Sequence, residues 1–132
     1  MPGLLLTVDG EGYPHTAFTW VVAVALDRLR FGADDGSTTL ANLERSGLAS
    51  VQIINEEGQP YLVKGNASIA SRLIQSAPFK IALVEMGIVE VRDQSWIGVN
   101  VSPLAYDWAP DDRDQMIEME QAVYAEMREW QG

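Results

Sequence analysis

Two runs rich in β-branched and apolar residues, Gly3 to Val8 and Tyr13 to Leu26, flank Asp9-Gly10-Glu11-Gly12, and that arrangement commits the start of the chain to a β-hairpin. Side chains of this kind fit a pleated surface and lose rotamer freedom in a helix. Leu26-Asp27-Arg28 breaks the second run, and Leu29-Arg30-Phe31 resumes an alternating pattern. A third strand folding back on the second makes a meander.

The pattern then changes. Gly32 to Gly36 reads as a loop, and Leu40 and Leu43 fall at helical spacing behind Ser37-Thr38-Thr39. Ser37 or Thr38 is suited to cap that short helix and Gly47 to end it. Leu48 to Ile54 reads as a strand, Asn55-Glu56-Glu57-Gly58 as a turn, and Pro60 to Ile74 as a long strand with a bulge or bend at Gly65. Phe79 to Val91 fits a strand better than a helix, and Gln94 to Val101 is a shorter excursion before Pro103. From Pro110 the period becomes helical, with Met116, Met119, Val123, Met127 and Trp130 on one stripe. Short strands, one inserted helix and one terminal helix describe a small closed or nearly closed β-barrel. With 132 residues, 47% of them apolar, the expectation is one domain, 1–132, with the barrel in 1–108 and the helix in 109–132.

The inventory of reactive groups is short. There is no cysteine, which removes disulfides, thiolate metal sites and thiol nucleophiles, and one histidine, His15, which removes multi-histidine metal sites. No metal site is expected. His15 follows Pro14 in a strand and reads either as a hydrogen-bonded structural residue or as part of a site. The chain has no nucleophile elbow, no dinucleotide fingerprint and no NTP-binding loop. A net charge of −10 opposes nucleic acid, whose backbone demands clustered cations. The run before Asp9 lacks the basic start of a signal peptide, and no apolar stretch approaches the roughly 18 residues of a membrane span. A soluble cytoplasmic protein, with neither nucleic acid nor membrane as partner, is expected.

One segment has the chemistry of a ligand site. Gly36-Ser37-Thr38-Thr39-Leu40-Ala41-Asn42 places three hydroxyls at a helix start, where free backbone N–H groups and the helix dipole favour an anion. Serine and threonine are also ordinary caps there. Asp34 and Asp35 just before it read as solvated loop residues.

The order of these parts resembles the FMN-binding split β-barrel superfamily, which includes the pyridoxamine 5'-phosphate oxidase-like proteins. The resemblance runs through Gly12 to Trp20, Leu29 to Gly32, Ser37 to Leu43, Val51 to Ile53, Tyr61 to Ala67 and Val84 to Val91. It implies a mainly β split barrel of six or more mostly antiparallel strands, and a homodimer with flavin sites where two barrels meet. In that family the segment like Pro14 to Trp20 runs along the isoalloxazine ring, so Phe18, Thr19 and Trp20 would border it. The segment like Ser37, Thr38, Thr39 and Asn42 would hold the phosphate, with Lys64, Arg28 or Arg30 adding charge. Thr38 stands where the family usually has lysine, and losing one charge-assisted phosphate contact costs roughly 1.5–3 kcal/mol. Trp96 and the apolar stripe of the last helix are candidates to complete the dimer.

The resemblance implies an FMN-dependent oxidoreductase or electron carrier acting with a small-molecule ligand or electron donor. It assigns no catalytic acid or base. Other readings are a barrel that holds a deazaflavin, one that holds haem through His15, and a non-catalytic dimeric barrel that has lost flavin and binds a ligand or protein.

Overall fold

The computed structural model describes residues 1–132. Strands β1 (Pro2–Val8) and β2 (Pro14–Ala25) pair antiparallel from Pro2↔Trp20 to Val8↔Pro14. Asp9 closes the turn between them, its carboxylate accepting the backbone N–H groups of Glu11 and Tyr13. Those bonds hold its carboxyl below the usual range. β3 (Arg28–Asp34), helix α1 (Thr38–Ser46), β4 (Leu48–Ile54), β5 (Pro60–Ser71), β6 (Ile81–Asp93) and helix α2 (Arg113–Glu129) follow. The strands close in the order β1-β2-β3-β6-β5-β4, with β4 returning to β1 and every pair antiparallel.

Alternation along the strands sorts side chains to the two barrel faces. Leu5, Val21, Phe31, Val51, Val63, Val84 and Met86 fill the interior, joined by Leu40 and Leu43 of α1. Each leucine buried in this way contributes about 1.5–3 kcal/mol. Ser37 caps α1 by accepting Leu40 N–H, and Gly47 ends it in the left-handed conformation. A second apolar cluster lies outside the barrel, where Val123 and Met127 of α2 cover Trp20, Val22, Ile81 and Leu83. Ile74, from the β5–β6 connection, is buried with them.

Three expectations change. Gly32 to Asp34 is strand, not loop, because Ala33 is buried and the segment pairs with Ile81–Leu83 of β6. β5 ends at Ser71, after which the chain leaves the sheet to plug Ile74 into the outer cluster. The apolar stripe of α2 covers its own barrel and is not free for a partner, since the outer face of β2 and β6 offers it an apolar bed. The bulge at Gly65 is present as a register shift between Lys64 and Gly65. A Cβ at Gly65 would lie 2.1 Å from the carbonyl oxygen of Gly87, so only glycine allows the two strands to meet there.

Candidate functional site

The ladder between β2 and β3 begins at Ala25↔Arg28 and stops at Val21↔Phe31. Beyond it β2 stays paired with β1 and β3 with β6, so the two strand ends part. Thr19 bridges the start of the gap with its side chain: its hydroxyl donates to the carbonyl of Gly32 at 2.6 Å and accepts the N–H of Gly32 at 3.1 Å. Past Thr19, alternate N–H and C=O groups of β2 face the opening, because an antiparallel strand directs successive pairs to opposite edges.

That opening is a cavity of about 480 Å³. His15, Ala17, Phe18, Thr19 and Trp20 of β2 form one wall, and Gly32, Ala33 and Asp34 of β3 the other. Ser37, Thr38 and Thr39 at the start of α1 close one end. Phe79, Tyr106 and Trp108 come from outside the regular elements to line the rest with Ile81. Phe79 stacks on Trp20 with centroids 6.1 Å apart, and Tyr106 meets Trp108 edge to face at 5.7 Å.

Glu120 of α2 fixes this aromatic wall. Its carboxylate accepts Trp20 Nε1–H at 2.8 Å and Trp108 Nε1–H at 3.2 Å, and the Trp20 N–H also reaches the Tyr106 hydroxyl at 2.6 Å. Burial pushes the Tyr124 phenol well above its ordinary pKa, and the negative charge of Glu120 adds to the effect. Glu126, further along α2, holds the connection that carries Phe79, accepting Gln75 N–H, Ser76 N–H and Ser76 Oγ–H at 2.7–2.8 Å.

Neither the family models nor the curated proteins contain a match to this chain. Solved structures do match. HupZ of Group A Streptococcus is 16% identical, with a TM-score of 0.59 over 76% of this chain and 90% of that one. A pyridoxamine 5'-phosphate oxidase-related, FMN-binding protein of Nostoc punctiforme is 14% identical, with a TM-score of 0.57 over 68% of this chain and 71% of that one. HutZ, the haem storage protein of Vibrio cholerae, is 15% identical, with a TM-score of 0.56 over 70% of this chain and 84% of that one.

The chain has the fold of the FMN-binding split-barrel superfamily. In this split barrel six of the eight residues put forward from sequence, Phe18, Thr19, Trp20, Ser37, Thr38 and Thr39, line one cavity. Asn42 does not. It is 1% exposed on the inward side of α1, where its amide donates to Thr7 Oγ1 and its carbonyl accepts from Arg45.

Lys64 stands in a separate groove beside Val8 and Leu48, 3.6 Å from Glu90. Arg28 and Arg30 both pair with Glu85, and Arg30 also donates to the carbonyls of Met127 and Trp130. Phe79, Tyr106 and Trp108 were not legible as site residues: Phe79 was expected inside a strand that begins only at Ile81, Tyr106 and Trp108 lie in a segment without periodicity, and all three reach the cavity only through the fold. Trp96 is exposed.

Proposed function

We propose that this split barrel is a flavin-binding protein, acting as an oxidoreductase or electron carrier, with the isoalloxazine ring in the cavity between β2 and β3. The observation that carries the reading is the parted strand pair. It leaves backbone donors and acceptors along one side of an aromatic-walled slot, which is what a planar ring with a polar edge needs. Phe18, Thr19 and Trp20 would border the ring, with Phe79 stacked behind Trp20. A bound flavin would supply electron-transfer chemistry, and the chain would supply position and exclusion of water.

The reading includes a homodimer. Leu4, Leu6 and Val8 of β1 share an outward face with Pro14, Thr16 and Phe18 of β2 and with Leu48, Ser50 and Gln52 of β4. Phe18 is 71% exposed and lies at the edge of the cavity, so a second copy on this face would close the site from that side.

An absorption spectrum of the purified protein, followed by titration with riboflavin and FMN while flavin fluorescence is monitored, tests the proposal. Saturable quenching near one flavin per chain is the expected result. Absence of binding at tens of micromolar by either flavin rejects it. His15 on the cavity wall favours haem as the second reading, because it is the chain's only imidazole. A Soret band on haem addition, with no response to flavin, would select that reading.

A further inference from the structure

Building on the flavin reading, we infer that the cavity selects a flavin whose side chain carries no phosphate, riboflavin in preference to FMN. The ring end of the cavity suits a flavin, but the end formed by α1 offers a phosphate dianion only the helix dipole and the N–H groups of its first residues, with Leu40 N–H already taken by Ser37 and no cation beside them. None of the nine lysines and arginines lines it. Lys80 stands between the lining residues Phe79 and Ile81 but is exposed and off the lining, Arg30 is buried against Glu85 and the last turn of α2, and Arg45 is bound to the Val8 carbonyl and Asn42.

The one carboxylate on the lining works against an anion. Asp34 lies two residues beyond Gly32, on the same face of β3, and its side chain has neither a hydrogen-bond nor a cationic partner. Ser37 has spent its proton, because its hydroxyl donates to the Asp34 carbonyl at 2.6 Å while accepting Leu40 N–H. A ribityl chain matches what remains. Its hydroxyls can donate to the Asp34 carboxylate and exchange hydrogen bonds with Thr38, whereas an ionised phosphate has no proton to give. The net charge of −10 adds a long-range field of the same sign.

A single carboxylate about 6 Å from a dianion in a water-like medium lowers affinity by roughly a factor of ten. Riboflavin is therefore expected to bind the purified protein about tenfold more tightly than FMN in low-salt buffer. The sign of the salt dependence is a second readout. Raising ionic strength from about 0.01 M to about 1 M shortens the screening length from about 30 Å to about 3 Å, so FMN binding should strengthen as repulsion is screened. A cationic phosphate site would instead weaken with salt.

Asp34→Asn should narrow the gap between the two ligands, and Thr38→Lys should do so independently. FMN binding as tightly as riboflavin, or weakening with salt, overturns the inference and leaves the flavin reading intact. Binding of neither flavin overturns both.

Discussion

Thr19 decides where the barrel opens. At the last point where β2 and β3 are close enough to bond, its hydroxyl takes over the role of a backbone partner for both polar groups of Gly32. Thr19→Val would leave the Gly32 N–H and C=O without partners in a half-buried place, at a cost of about 1–3 kcal/mol. The urea midpoint should fall accordingly and flavin affinity with it. Thr19→Ser, which retains the hydroxyl, should recover most of both. If the valine variant were as stable as the parent, the strands would be held apart by something other than this bridge. The family resemblance made Thr19 a candidate, but its structural partner was hidden, because nothing local says that the ladder stops at Val21. Asn42 shows the converse. Its polarity suits a ligand, yet one helical turn beyond the cap it faces inward, and its amide is used up on Thr7 and Arg45.

Elements with local signals were legible: the Asp9 hairpin, the Ser37 and Gly47 caps, the bulge at Gly65 and the stripe of α2. Each depends on chemistry within a few residues in sequence. The connection 72–80 reads partly as the ends of two strands and the connection 94–112 carries no such signal, yet they supply three aromatic residues of the cavity wall. What anchors the first of them is Glu126. Burial pushes its carboxyl up in pKa, but the hydrogen bonds from Ser76 Oγ and from the backbone of Gln75 and Ser76 outweigh burial and hold it below the ordinary glutamate value.

A carboxyl lowered on folding stabilises the native state above its unfolded value, and the contribution is lost as pH falls through the folded value. Glu126→Gln should therefore lower stability at pH 7 by about 1 kcal/mol, a figure discounted for the group's partial exposure. The difference in thermal midpoint between parent and variant should shrink on acidification below about pH 4.5. A difference that persisted unchanged to pH 3 would show that the amide loses shape complementarity and not charge.

At the scale of the molecule, the two halves of the proposed site place different demands on the chain. The interior core and the cluster under α2 satisfy the fold within one copy, yet Val8, Phe18 and Leu48 remain 50%, 71% and 61% exposed on one outward face. Exposed apolar side chains grouped across neighbouring strands are a face that a second barrel can cover. Leu48→Asp separates this possibility from a stability effect. In a lone chain the substitution sits in water and should change stability by no more than about 0.5 kcal/mol. In a dimer it would carry a carboxylate into an apolar contact, which costs several times that much even with the Glu90-paired Lys64 nearby. Light scattering should then report twice the 14.5 kDa chain mass for the parent and the single mass for the variant, with little change in the variant's helix and sheet content. Flavin affinity should fall together with the dimer, since Phe18 would lose the cover that keeps water from the cavity. A parent that is already monomeric, yet binds flavin tightly, would mean that Tyr106, Trp108 and Phe79 close the site alone, and that the face around Leu48 plays no part in it.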